Sequence, residues 1–183
     1  MSSYICSGDS SMSILKVDTI NEKTTGNGVY IPGHVIQTVN KTFRDVTSTT
    51  STSYIDVTAG SLAITPKSTS SKIHVQFNFS LGYYGGNVYQ YGGFQILRDS
   101  TVITFSPQDG TGTFEVGQAH TGISTVENYE RYSHQLIDSP STTSAVTYKA
   151  QLKSYGAGGG SMTINPGGAA IGTSHIILQE IAV

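Results

Sequence analysis

The stretch "SSKIHVQFNFSLG", residues 70–82, decides the fold class. From Ile73 to Leu81 every second residue is apolar, and the residues between them are polar or charged. Successive side chains of a β-strand point to opposite faces, so this alternation predicts a strand with one buried and one exposed face. The same pattern in "AVTYKAQLKSY", residues 145–155, predicts a second half-buried strand.

Six further stretches are rich in β-branched and aromatic residues and predict additional strands. They are "YIDV" (54–57), "SLAIT" (61–65), "GGFQILRD" (92–99), "TVITF" (101–105), "RYSHQLID" (131–138) and "HIILQEIAV" (175–183). Clusters of Ser, Thr, Gly, Asn and Pro separate these stretches and are typical of turns. No stretch of ten residues combines a helical period with caps. We therefore predict an all-β protein, an antiparallel β-sandwich of jelly-roll type with about eight strands.

Composition excludes several classes of partner. The chain has 183 residues, a net charge of -2 and scattered Lys and Arg residues, so no basic stripe is present for nucleic acid or anionic lipid. No segment reaches the roughly 18 consecutive apolar residues that a membrane span needs. Cys6 is the only cysteine, which excludes an intrachain disulfide and a zinc site built on paired thiolates.

The N-terminal stretch "SILKVDTINEKTTGNGVYIPGHVIQ", residues 13–37, differs from the rest. It is too irregular to fold alone, yet it carries apolar residues that copies of the chain would bury by winding together about a threefold axis. These residues are Ile14, Leu15, Val17, Ile20, Val29, Tyr30 and Ile31. Pro32 and Gly33 then predict a turn into the sandwich. We expect an extended attachment and trimerisation segment over 1–37 and a β-sandwich domain over 38–183.

The sequence contains no Walker loop, nucleophile elbow or zinc-protease motif, so we predict no cofactor and no catalytic residue. The five histidines are isolated from other ligands, and we predict no metal site within one chain. A ring of His34 side chains around a threefold axis is the first place to look for an ion.

Paired carboxylates could cleave glycans, and the available acids are Asp99, Asp109, Glu127, Glu130 and Asp138. Asp99, Asp109 and Asp138 sit in sequences where turns favour Asp, which argues for a structural role.

Tyrosines cluster in and beside the Gly-rich stretch "LGYYGGNVYQYGGF", residues 81–94. A second group lies in "ENYERYSHQ", residues 127–135. Exposed Tyr rings stack on sugars and pack on proteins, so these residues predict either a receptor-binding surface or an interface between subunits. The candidates are Tyr83, Tyr84, Tyr89, Tyr91, Tyr129 and Tyr132.

Seven segments, in this order and spacing, resemble small fibre-like virion proteins of tailed bacteriophages, particularly those of aquatic bacteria and cyanobacteria. The segments are "ILKVDTI", "GVYIPGHVIQ", "TSTSYIDV", "ITPKSTSSKI", "FQILRDST", "LIDSPSTTSAVTYKAQLKS" and "ILQEIAV". The resemblance runs from about Met12 to Val183. It implies a trimeric structural protein on the particle, with an N-terminal segment that attaches and a C-terminal β-domain that faces outward. The chain departs from the family by placing "MSSYICSGDSS" before Met12, so the natural start is Met1 or Met12.

Together these observations predict a non-enzymatic phage virion protein, assembled in the host cytoplasm. We expect a short fibre or spike that binds itself as a homotrimer, contacts other virion proteins of the tail or capsid, and displays its sandwich to a host surface glycan or protein. Two alternatives stay open. The first is a capsid decoration or cement protein that stabilises the particle, and the second is the head of a glycan-cleaving tailspike, which the small size of the domain disfavours.

Overall fold

A computed structural model of the chain describes residues 19–21, 31–84, 90–103, 114–118, 128–154, 160–167 and 172–183. These residues form eleven β-strands and no helix. The strands are β1 (Val35–Phe43), β2 (Thr47–Thr49), β3 (Ile55–Ile64), β4 (Lys72–Tyr84), β5 (Gln90–Arg98), β6 (Thr101–Val102), β7 (Phe114–Gln118), β8 (Asn128–Asp138), β9 (Val146–Ser154), β10 (Ser161–Ile164) and β11 (Ser174–Ile181). The described part of the chain holds no helix long and apolar enough to cross a membrane.

The strands form two antiparallel sheets. In sheet A, β11 lies between β1 and β4, and β8 pairs with the other side of β4. In sheet B, β9 lies between β3 and β5, and β7 pairs with the other side of β5. Without the short strands β2, β6 and β10, the orders are therefore β1-β11-β4-β8 and β3-β9-β5-β7. This interleaving of early and late strands is the jelly-roll arrangement, and it confirms the predicted fold.

The core lies between the sheets and follows from the alternation seen in the sequence. Ile73, Val75, Phe77 and Phe79 of β4 point inward and are at most 1% exposed. From sheet B, β9 contributes Val146, Tyr148, Ala150 and Leu152, and β5 contributes Phe94 and Ile96. The Phe94 ring meets the Phe79 ring edge to face with centroids 5.4 Å apart, an arrangement that favours aromatic pairs. The two strongest sequence patterns therefore face each other across the core.

Along one edge of β4 the pairing strand changes from β11 to β10, and buried polar side chains form hydrogen bonds where this change occurs. Residues 72–78 of β4 pair with β11, whereas residues 81–84 pair with β10. Between these regions the Ser80 N–H donates to Ser174 Oγ at 3.2 Å, and the Ser174 hydroxyl donates to Asn165 Oδ1 at 2.7 Å. Asn165 is fully buried and has a φ of 53°, a left-handed conformation that Asn tolerates better than most residues. Buried polar atoms need hydrogen-bond partners. The hydrogen bonds of Ser80, Ser174 and Asn165 therefore replace the backbone pairing that is missing between the two regions.

The structure differs from the sequence prediction in three respects. First, β1 begins at Val35, so residues 35–37 belong to the sandwich and not to the N-terminal segment. Second, "YIDV" and "SLAIT" form one strand, β3, whose register shifts between Asp56 and Ser61 and whose Ala59 has a φ of 57°. Third, four strands lie outside the predicted ones, namely β1, β2, β7 and β10. β10 follows a Gly-rich run and pairs with β4 over only four residues.

Candidate interaction surfaces

The strand register gives the sandwich two distinct ends. At one end, which we call the base, Val35 of β1 pairs with Ile181 of β11, and Ile181 pairs with Lys72 of β4. At the other end, the distal end, Tyr83 of β4 pairs with Asn128 of β8, and Tyr84 pairs with Ser161 of β10. The 13 residues of β4 run from one end to the other, a distance of roughly 40 Å at the usual rise per strand residue.

The N-terminal segment enters at the base. The His34 N–H donates to the Ile31 carbonyl at 3.0 Å, which closes a turn with Pro32 and Gly33 at its centre. Gly33 has a φ of 83°, and a Pro followed by a residue with positive φ is typical of a type II turn. The Gly33 N–H donates to Ala182 O at 2.8 Å, and the Ala182 N–H donates to His34 O at 2.9 Å. The predicted turn into the sandwich is therefore confirmed, and it is held against the C-terminal residues.

Of the seven apolar residues proposed for attachment, two are described. Ile20 is 55% exposed and Ile31 is 36% exposed. Ile14, Leu15, Val17, Val29 and Tyr30 lie outside the described residues. Their role in trimer formation stays a prediction.

The structure corrects the interpretation of Tyr83. This side chain is 2% exposed and belongs to the core cluster, because it continues the inward alternation of β4 by one step beyond Leu81. Burial strongly raises the pKa of its phenol, and the nearby Glu130 adds to the effect. Its hydroxyl has no hydrogen-bond partner among the residues that the structure describes. Tyr83 is therefore not a receptor contact, and the period of β4 followed to its end would have predicted its burial.

Tyr132 is half-buried on the inner face of β8, opposite Phe79. Its ring meets the Phe94 ring edge to face at a centroid distance of 4.9 Å, and burial raises its pKa. His134 follows on the same face and lies 5.8 Å from the Phe94 ring, where burial lowers its pKa. Tyr132 therefore contributes to the rim of the core as well as to the surface.

The backbone places three other candidate tyrosines at the distal end. Tyr84 ends β4, Tyr91 lies at the second position of β5, and Tyr129 lies at the second position of β8. Tyr89 lies outside the described residues. The topology thus brings Tyr84, Tyr91 and Tyr129 to one end of the sandwich, although they come from three strands.

Two of the carboxylates considered for glycan cleavage, Asp99 and Asp138, have structural roles, and Glu130 is half-buried in β8. Asp99 has a φ of 53° in the turn between β5 and β6, and its Oδ1 accepts a hydrogen bond from the Thr147 N–H at 2.9 Å. Asp138 ends β8 and is bound by Arg98 Nη1 at 2.8 Å and by the Tyr148 hydroxyl at 2.7 Å. The turn interpretation therefore holds for Asp99, whereas Asp138 joins the two sheets. Asp109 and Glu127 lie outside the described residues.

A buried carboxylate at the base was not predicted from the sequence. Glu180 of β11 is fully buried, and its Oε1 accepts a hydrogen bond from the Lys67 N–H at 2.7 Å. Gln37 Nε2 donates to Glu180 Oε2 and also to the Thr65 carbonyl at 2.7 Å. A glutamate in a strand is normally predicted to face solvent. Its burial could have been predicted only by assigning residue 180 to the inward face of β11.

The outer faces of both sheets carry hydrogen-bonded polar side chains. On sheet A, His74 Nδ1 lies 3.2 Å from Gln179 Oε1 and His74 Nε2 lies 3.2 Å from Gln135 Oε1. On sheet B, Gln151 donates to Asp56 Oδ1 at 2.6 Å and Lys149 donates to Asp56 Oδ2 at 2.9 Å. These hydrogen bonds, first that of Gln151 and then that of Lys149, lower the pKa of Asp56. No group of three potential metal ligands occurs among the residues that the structure describes.

No protein-family model and no curated protein matches the sequence. Among solved structures, the chain is similar to a protein of the viral particle of IBDV, infectious bursal disease virus, at 12% identity and a TM-score of 0.34. The match covers 81% of this chain and 37% of that one. The VP2 subviral particle of the same virus gives 13% identity, a TM-score of 0.32 and coverage of 81% and 38%. The chain thus spans well under half of these proteins, and the jelly-roll assignment rests on its own strand order.

Proposed function

We propose that this chain is a non-enzymatic structural protein of a phage virion. In this proposal the N-terminal segment attaches the protein to the particle, the chain associates with copies of itself as a trimer, and the jelly roll is displayed as a short fibre or spike for adhesion to the host surface.

The observation that carries this proposal is that the N-terminal entry and the tyrosines lie at opposite ends of the sandwich. The chain enters at the base, beside Ala182, whereas Tyr84, Tyr91 and Tyr129 lie at the opposite end of β4. A protein that is attached through its N-terminus therefore holds the tyrosine-rich end farthest from the point of attachment. Loops and strand ends at the far end of a rigid sandwich are common binding regions.

The contacts of Asp99 and Asp138 support a binding role over a catalytic one. A glycosidase needs one carboxyl group that can donate a proton and a second that faces the same substrate. Asp138 is occupied by Arg98 and Tyr148, and Asp99 is occupied by the backbone of Thr147. Neither of these two acids is free to serve as half of a catalytic pair.

The test is to locate the protein on a particle. Mass spectrometry of particles purified from the phage that encodes this chain should detect its peptides. Gold-labelled antibodies against the jelly roll should mark the tail, which would favour the fibre, or the capsid surface, which would favour the decoration alternative. Absence of the peptides from purified particles would contradict the proposal. Release of oligosaccharide from host capsule or lipopolysaccharide by the purified protein would support the tailspike alternative instead.

A further inference from the structure

Exposed aliphatic side chains gather at the base, around the point where the N-terminal segment enters. Ile31 is 36% exposed, Val35 is 49% exposed and Val183 is 50% exposed. Ile181 pairs with Val35 on the outer face of sheet A and is half-buried. We call these four residues the base patch.

Backbone contacts make the base patch one surface. Val35 and Ile181 are direct cross-strand partners, whose side chains lie within contact distance on one face of a sheet. The hydrogen bonds between Gly33 and Ala182 and between Ala182 and His34 hold the turn that carries Ile31 beside the residue before Val183. Contiguous exposed aliphatic groups are unfavourable in water and commonly mark a contact surface.

We propose that the base patch is a contact between copies of this chain. Thirty residues precede Ile31, and the chain leaves the sandwich within the patch. Copies that are joined through their N-terminal segments therefore hold their base patches close together, at a high effective concentration. The net charge of -2 gives little repulsion between copies. The inference rests on the self-association in the proposed function, but it does not depend on the location of the protein in a virion.

The irregular edge strand β1 indicates that copies do not extend sheet A by strand pairing. They pack through side chains at the base instead. Within the described residues β1 pairs only with β11, which leaves its other edge unpaired. The register of β1 shifts between Val35 and Gln37, and such an irregularity discourages pairing along a strand edge. Four side chains are fewer than the roughly 20 residues a side of a stable interface, so loss of the patch should weaken association without abolishing it.

The experiment measures association of the full chain by sedimentation equilibrium over a range of concentrations. The variant combines Val35→Lys and Val183→Lys, which places like charges in the contact. The control is Val46→Lys, because Val46 is also a valine that is 49% exposed but lies beyond the far end of β1. We expect the double variant to raise the dissociation constant about tenfold or more, and the control to leave it unchanged. Circular dichroism should show the same β-structure in all three proteins.

Three results would overturn the inference. They are a monomeric native chain, equal weakening by the control, and no weakening by the double variant. If the native chain is a monomer and trypsin cleaves after Lys16 and Lys23 only in the double variant, the chain's own N-terminal segment covers the patch. Detection of the protein in virions would leave its proposed place on the particle standing under each of these results, whereas a monomeric native chain would also contradict the proposed trimer.

Discussion

Two polar side chains at opposite ends of the sandwich are buried in different ways. Glu180, at the base, has its carboxylate bound by a backbone N–H and by the Gln37 amide. Tyr83, toward the distal end, buries a hydroxyl that has no hydrogen-bond partner. A buried polar group without a partner loses its hydration and regains nothing, so the hydroxyl of Tyr83 reduces the stability that its ring provides.

This difference leads to a prediction for Tyr83. Removing the hydroxyl in Tyr83→Phe should change the free energy of unfolding by less than about 1 kcal/mol, or raise it slightly, because no hydrogen bond is lost. Removing the ring in Tyr83→Ala should lower it by about 3 to 5 kcal/mol, because a cavity forms in the core. Urea denaturation measures both. Little effect of Tyr83→Ala would mean that the ring is exposed, and the receptor-contact interpretation would return.

At the scale of elements, three strands are joined across the sandwich by one ion pair and by a hydrogen bond to its carboxylate. Arg98 ends β5 in sheet B, Asp138 ends β8 in sheet A, and Tyr148 lies near the start of β9. The side chains of Arg98 and Asp138 are only 25% and 12% exposed. An unpaired charge at such a mostly buried position lowers the free energy of unfolding, although the complete ion pair adds little stability compared with apolar residues.

We therefore predict strong coupling between Arg98 and Asp138. Asp138→Ala should lower the free energy of unfolding by about 3 kcal/mol, because it leaves the guanidinium without its partner. Adding Arg98→Met to that variant should recover part of the loss. Asp56→Ala is the matched control. The Asp56 side chain is 59% exposed, and loss of its ion pair with Lys149 should lower the free energy of unfolding by less than about 1 kcal/mol. Losses that simply add in the double variant would contradict the coupling.

Elements with a regular period were predictable, and those that depend on pairing partners were not. The alternation in β4 and β9 indicated both strands and their buried faces, and the interleaved order agrees with a jelly roll. β10 is a strand because β4 offers it an edge, which no local pattern can show. For the surface, Pro32 and Gly33 indicated the entry turn, but the distal position of Tyr84 and Tyr129 depends on long-range register.

At the scale of the whole molecule, the proposed direction of display predicts where host binding lies. Tyr84→Ala combined with Tyr89→Ala should reduce adsorption of the phage to its host by about tenfold or more, because each ring at a binding hot spot contributes about 1 to 3 kcal/mol. The association of the chain with itself should not change, since the base patch is at the other end. Adsorption assays and sedimentation of the same variants provide the comparison. Normal adsorption with loss of the protein from particles would assign these rings to a subunit interface and favour the decoration alternative.

The position of β11 also governs when the protein can fold. This strand lies between β1 and β4, so sheet A has a gap until residues 174–181 have been synthesised. A nascent chain on the ribosome carries β4 with its apolar face formed but without the neighbour that completes the sheet. Such chains expose strand edges and are prone to aggregate, and sheets that join distant segments form slowly. We therefore expect production of this protein to depend on chaperones and on complete translation more than production of a fold assembled from neighbouring hairpins would.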